Sequence, residues 1–260
     1  MDALETAFSE TTRIVLGQAM PHLYEMEKWL ARHVALPHVV KSMKSGKEVW
    51  MPPGQDFLGK NFSPHKIISM DEGELNPPSP FKAEELEGAD LASIRSRFIK
   101  PLAVFWGNFR YKTVENAKKS SGCGDCVNVY YSEDVYHGAR NVAYCKSVLY
   151  SENMFGCMGT NSSKYCIDCY NSIDLTRCFE VDACTKCSDC YFCHNCENVE
   201  NGLFCFNVKG MRYAIGNVEV GREKFMQVKK MVLEELAARL MKEKTLGIDI
   251  YSIGSAQKVG

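Results

Sequence analysis

From Cys145 to Val220 every third position is small or apolar, and none is charged. The register reads Cys, Val, Ser, Met, Cys, Thr, Ser, Cys, Cys, Ser, Leu, Cys, Val, five further Cys, then Val, Gly, Cys, Val, Met, Ala, Asn and Val. A period of three would drift around an α-helix by about 60° per turn, and it does not match the alternation by two of a flat strand. The residue after each small one is often large: Leu149, Phe155, Ile167, Ile173, Phe179, Tyr191, Leu203 and Ile215 suggest a further period of six, with gaps at Asn161, Thr185, Glu197 and Lys209. The third position collects Asn153, Gly156, Gly159, Asp168, Asn171, Asp174, Asp189, Asn195, Asn198, Asn201, Asn207 and Gly216, residue types that tolerate left-handed backbone. Short strands joined by tight corners and wound into a coil satisfy all three patterns.

An echo sets the expected circumference. "YSEDVYHG" at 131 returns as "YSENMFGC" at 150, nineteen residues on. The fold class that follows is mainly β with flanking helices, built around a cysteine-rich β-solenoid of about five coils, each of roughly twenty residues. Cys123, Cys126, Val129, Ser132, Val135 and Gly138 keep the rule in a shifted phase, which places a bulge between Gly138 and Cys145. Three regions are expected: 1–110 helical and irregular, 111–220 the solenoid, and 221–260 a C-terminal helix and tail.

In the first region Leu4, Phe8, Ile14, Val15, Met20, Leu23, Met26 and Leu30 recur at helical spacing, with Pro21 dividing the segment. Residues 51–82 are rich in turn signals, and 83–100 reads as a helix ending before Pro101. Phe225, Val228, Val232, Leu236 and Leu240 stripe a helix over about 221–243, placed to cap the last coil, and residues 252–260 read as a loose tail.

Composition narrows the function classes. With 31 basic and 32 acidic residues there is no overall basic field to collect nucleic acid, and no apolar run is long enough for a membrane span. The acidic start "MDALETAFSE" lacks the features of a signal peptide, so an intracellular, reducing setting or incorporation into a virus particle is expected. All 13 cysteines lie between Cys123 and Cys205, and all nine prolines at or before Pro101. The eleven cysteines from Cys145 onward share one register, which independent placement would produce on the order of once in 10⁵ trials. A single rule wrote them, and narrow coils need small buried side chains at inward positions, a role cysteine fills. Two alternatives stay open. Cys166, Cys169, Cys184 and Cys187 have the spacing of a zinc ribbon, and stacked coils lie close enough for disulfides. No cofactor other than this candidate zinc is implied.

No catalytic set emerges. The solenoid region holds only His137 and His194, and His194 reads as a turn residue rather than a base for Cys193. No Walker loop, dinucleotide fingerprint, nucleophile elbow or HExxH motif is present. The stretches "FGCMGTNSSKYCI" (155–167), "NVKGMRYAIGNVEVGREKF" (207–225) and "HKIISMDEGELNPPSPFK" (65–82) resemble an uncharacterised cysteine-rich repeat family of reduced-genome bacteria and environmental tailed viruses. Members of that family usually begin with a zinc-ribbon segment, which this chain lacks before Cys123. The resemblance implies a repeat solenoid, association with virus particles, and no known reaction. The expected function is that of a non-enzymatic structural or interaction protein whose partners are other protein chains in a large assembly, with no direct nucleic-acid or membrane role. The alternative is a zinc-binding or small-molecule-modifying β-helix protein of divergent transferase type.

Overall fold

A computed structural model describes residues 2–54, 56, 60–74 and 81–255. From Ser162 to Asn207 every third residue has φ between 46° and 60°, and the same left-handed corner recurs in both directions beyond that span. The corners are not reserved for Asn, Asp and Gly: Tyr165, Arg177, Glu180, Lys186, Phe192 and Phe204 occupy them too. Each such corner costs an ordinary residue about 1–2 kcal/mol, so the geometry must be imposed by the hydrogen bonds and packing between coils.

Parallel pairing sets the circumference. Cys166 lies beside Cys178, Phe179 beside Tyr191 and Leu203 beside Ile215, an offset of twelve residues. Four triplets therefore make one coil with four walls, and about nine coils stack, in place of the expected five of roughly twenty residues. The nineteen-residue echo relates Tyr131 to Tyr150, corner to corner, but across one and a half coils plus one inserted residue. The insertion lies between Tyr136 and Ala139, where the offset to the preceding coil steps from twelve to thirteen. Thus Gly138 is exposed and Ala139 takes the inward place, so the bulge precedes the position expected for it. A second shift lies between Tyr111 and Val114.

The period of six was two columns of period twelve. Phe155, Ile167, Phe179, Tyr191 and Leu203 stack on one wall, here called A, and are fully buried. Leu149, Asn161, Ile173, Thr185, Glu197 and Lys209 stack on the opposite wall, C, which is open to solvent to varying degrees. Wall B between them carries Met158, Tyr170, Asp182 and His194, and wall D carries Lys164, Thr176, Ser188, Glu200 and Arg212.

Helix α1 (Ala3–Leu16) covers wall A. Phe8 meets Phe155 edge to face at 5.1 Å, and the Tyr191 hydroxyl donates to the Val15 carbonyl at 3.0 Å. Asp2 caps the helix start, and Gly17, at φ 77°, ends it before Pro21 is reached. The chain then makes short turns at Leu23–Met26 and Glu27–Leu30, which seat Trp29 near Phe179. Helix α2 (Arg222–Glu243) begins on the last coil, where Phe225 packs on Tyr213, and runs back along the flank beside α1. Its Lys229 reaches the ring of Tyr191 at 4.7 Å and Asp189 at 3.5 Å. Of the expected stripe, Phe225, Leu236 and Leu240 are buried and Val228 and Val232 half-buried, while Leu233 and Ala237 join the buried face.

Between the first turns and the solenoid, β1 (His38–Lys41) and β2 (Glu48–Met51) form a hairpin, and β3 (Ile67–Ser69) pairs in parallel with β4 (Phe105–Gly107). The expected helix over 83–100 is broken into Ala83–Leu86, Leu91–Ser93, Ile94–Ile99 and Lys100–Leu102, and Pro101 sits in the first turn of the last piece, where its missing N–H is harmless. Part of the turn-rich stretch 51–82 and the tail beyond Ser255 lie outside the described residues. The segment before that tail is not loose: Ile253 packs against the helix-covered core, and Ser252 hydrogen-bonds Asp249.

All 13 cysteines are free and buried. The inward positions are buried at every step from Ser120 to Cys205. Why serine and cysteine alternate there follows from the hydrogen bonds. The Ser172 hydroxyl donates to the Tyr170 carbonyl at 2.6 Å and accepts from Cys184 N–H of the next coil at 3.1 Å. The Cys184 thiol repeats both bonds, donating to Asp182 O at 3.2 Å and accepting from Cys196 N–H at 3.3 Å. Ser120, Ser132, Cys145 and Cys157 form a similar relay, as do Ser151, Ser163 and Leu175. Small side chains with a donor and an acceptor thus satisfy backbone groups inside the tube.

Two outcomes check this account. Cys187, Cys190 and Cys193 resist alkylation in the native reduced protein and react only on unfolding, as mass spectrometry of labelled peptides would show. Cys184→Ser keeps stability within about 1.5 kcal/mol, whereas Cys184→Val strands the Cys196 N–H and costs about 1–3 kcal/mol in denaturant unfolding.

Candidate functional site

The titratable side chains that the fold gathers most densely lie where walls A and B meet. Asp168 and Glu180 occupy left-handed corners one coil apart in the same column, so their carboxylates stack. Both are fully buried. Arg32, from the turn after Trp29, reaches in from outside: it pairs with Asp168 at 3.2 Å and closely with Glu180. Its Nη1 donates to the carbonyls of Leu246 at 3.3 Å and Ile248 at 3.4 Å, while Ile250 N–H donates to Glu180 at 2.9 Å. The corner above is Gly156, where a Cβ would collide with Asp168 and press on the Leu30 backbone. Burial pushes the Glu180 carboxyl up to about 7. Burial, and then the neighbouring Glu180, raises Asp168 as well. One guanidinium thus serves two carboxylates that share a dry site, which favours retention of a proton by the pair.

Around this triad stand two histidine–aspartate pairs. His194 lies 2.8 Å from Asp182 on wall B, and His33 lies 3.0 Å from Asp249 in the C-terminal segment. Tyr251 lies near Asp182, whose negative charge acts on its hydroxyl, and packs edge-on against His33 at 5.2 Å, so it stands between the two pairs. Burial raises Asp249, but hydrogen bonds from Ser252 and His33 outweigh it and hold this carboxyl below its usual range. The set ties residues 29–33, the middle coils and residues 246–252 into one unit. Higher on wall B, Glu133 is buried and pushed to about 8 by desolvation, and Lys146 pairs with Asp56.

A nucleophile is not brought to these pairs. Cys193 and His194 are adjacent in sequence but point to opposite sides of their strand: the thiol faces the axis and donates to Tyr191 O at 3.5 Å, while the imidazole faces wall B. The four zinc candidates are likewise dispersed. Cys166 lies behind wall A and Cys169 behind wall B of one coil, whereas Cys184 and Cys187 lie behind walls C and D of the next. Their thiols donate to backbone carbonyls at 3.2–3.5 Å. Among the described residues no three His, Cys, Asp or Glu side chains are grouped to hold a metal ion. His137, on an exposed corner, stacks on Tyr150 at 4.8 Å.

Sequence reasoning missed Arg32, Asp168, Glu180, Asp182 and Asp249 as a group. The signal was present in part: with a period of twelve, Asp168 and Glu180 fall in one column with Gly156 and Phe192. Two carboxylates in a column otherwise small or apolar call for a cation. Nothing in the sequence names residue 32 as that cation.

The pH dependence of stability follows. A carboxyl whose pKa is raised on folding holds a proton that the unfolded chain releases, so its contribution is present below about pH 4.5 and is lost as pH rises toward the folded value of about 7 for Glu180. Stability is expected to fall across that window, and Glu180→Gln to flatten the fall, in denaturant titrations from about pH 5 to about pH 8. Arg32→Met leaves the carboxylates without their cation and costs about 3–5 kcal/mol at neutral pH.

No protein-family model matches the chain, and no curated protein matches it, so the resemblance to the cysteine-rich repeat family stands on the quoted motifs alone.

Proposed function

We propose that the protein is a rigid scaffold that presents the open walls of its solenoid to other protein chains in a larger assembly, and that it catalyses no reaction. The β-solenoid fold is consistent with a structural protein. The observation that carries the reading is the division of the walls. Helices and the C-terminal segment cover A and B, while C and D are left uncovered by them. Wall C and its corners hold Tyr136, His137, Leu149, Tyr150 and Ile173, with Ile173 50% and Tyr150 58% exposed. These apolar groups sit on backbone fixed by hydrogen bonds to the coils above and below, so binding would order little that is not already ordered.

The distribution of chemistry supports the same reading. The thiols line a closed axis, and the buried charged groups hold chain segments together. No helix among the described residues is long and apolar enough to cross a membrane. The family resemblance adds a virus particle as the setting for the assembly.

Fractionation of the native source tests this. The protein is expected to sediment with a particle far larger than one chain and to co-purify with the same partner chains in each preparation. Paired Tyr150→Asp and Ile173→Asp substitutions are expected to release it from the particle while leaving its unfolding midpoint little changed. Recovery as a lone chain carrying about one zinc ion per molecule would favour the metal-site alternative.

A further inference from the structure

The two ends of the coil stack are finished differently. At the C-terminal end Val218–Glu219 folds back antiparallel on Arg212–Ile215, leaving an edge two residues long. At the other end the strand Arg110–Lys118 pairs with Ser121–Tyr130 on one side and with no strand on the other, among the described residues. Its nine residues form the longest open edge of the sheet.

This edge keeps the pattern of an interior coil. At interior corners the backbone N–H donates to the preceding coil, as from Ala183 to Tyr170 O at 3.1 Å and from Asn195 to Asp182 O at 3.0 Å. The equivalent corners of the first coil, Asn116 and Lys119, have no preceding coil to meet among the described residues. A side-chain ladder ends at the same place. Asn141 donates to Asn153 at 2.8 Å, Asn128 to Asn141 at 2.9 Å and Asn116 to Asn128 at 3.1 Å, so the direction of donation leaves the Asn116 carbonyl facing the open end. Inside the tube, Val114 and Ala117 are half-buried, as are Val208 and Met211 at the far end, whereas the inward residues from Ser120 to Cys205 are buried.

Charge selects among the strands that could complete it. Arg110, Lys112, Lys118 and Lys119 line the edge with one acid, Glu115, on the same strand, and none of the four is in an ion pair among the described residues, although Asp2 lies near Lys118 and Glu27 near Lys119 and the Arg110 guanidinium donates to the Phe109 and Ser120 carbonyls. Beside it opens a cleft of about 560 Å³ lined by Trp50, Met70, Asp71, Arg110, Ala117 and Lys119. Two copies of the edge would place cations against cations, which disfavours self-pairing. An acidic segment meets the cations, the edge beyond Arg110, whose own N–H donates to the Met70 sulfur at 3.3 Å, and the half-buried end of the core together.

We infer that the first coil is a docking edge for an acidic segment of another protein that turns a corner at every third residue as the coils here do, added in register as a further coil with its end in the adjoining cleft. The inference rests on the scaffold reading and names where and how one partner engages.

The test uses the full chain and a synthetic peptide one coil long with valine at every third position, glutamate after each valine and asparagine at each corner. Calorimetric titration is expected to show binding, weakened about tenfold or more by the double variant K112E/K118E and tightened by Glu115→Lys. All three positions are exposed, and circular dichroism checks that the variants fold. Hydrogen exchange at the amides of Asn116 and Lys119 is expected to slow at least about tenfold on binding, because the peptide carbonyls take those donors. Absence of binding, binding without that protection, or tighter binding of an oligothymidylate of equal charge would each overturn the inference. The scaffold reading fails separately: a native particle with partner chains but no peptide binding removes only the edge, whereas a lone native chain that binds the peptide removes only the assembly.

Discussion

A left-handed corner at every third residue is the constraint on which the other features depend. Three residues per wall leave room for one inward side chain between corners, and four walls close around an axis filled by those side chains alone. Large residues cannot be accommodated at each level, so cysteine, serine, valine, alanine and glycine fill most of it, with methionine and leucine where a neighbour is smaller. The corners are unfavourable one at a time, and they persist because each coil is hydrogen-bonded to the coils on both sides. The Ser and Cys relays extend this bonding into the axis, where water cannot reach the backbone. The cysteine content is therefore a consequence of geometry: a thiol is small, apolar enough to be buried, and able to donate to one carbonyl while accepting from one amide.

A tube of this kind is uniform along its length, and the helices break that uniformity. Wall A carries a column of aromatic and aliphatic residues because α1, Trp29 and α2 need a surface to bury. Where this packing meets wall B, Asp168 and Glu180 replace apolar groups and Arg32 closes over them, joining residues far apart in the chain. A buried triad of this kind is weak evidence for added stability, but its ion pairs are made only when the N-terminal turns meet these two coils. On a repetitive surface, register along the axis is otherwise weakly specified, since a slip of one coil would present a similar wall.

The same uniformity explains why the proposed interaction surfaces lie at the exceptions. Among the described residues walls C and D have no covering layer, and the first coil has no strand neighbour on one side. The far end is blunted by a short antiparallel turn-back, as edge strands usually are. The lysines on the first coil would set cation against cation if two copies of the edge met.

The solenoid and most of its inward residues were legible in the sequence because a period of three survives in the residues themselves: a charge at Cys184 or Cys190 would be intolerable wherever the neighbouring coil lies. The circumference was not legible in the same way. Any multiple of three satisfies the inward rule, so Phe155, Ile167 and Ile173 looked like one series until pairing separated the covered wall from the open one. What distinguishes those walls is α1, which touches one and not the other. The shift near Gly138 was visible as a change of phase, but only the pairing of Cys126 with Ala139 showed which residue turned inward. The Arg32 triad and the His33–Asp249 pair were beyond the sequence for a related reason: their members lie in segments without a common period, and their meeting depends on how the helices and the closing segment dock on the tube. Local repetition determined the coil, and only tertiary packing decided its size, its covered side and the place where its charges meet.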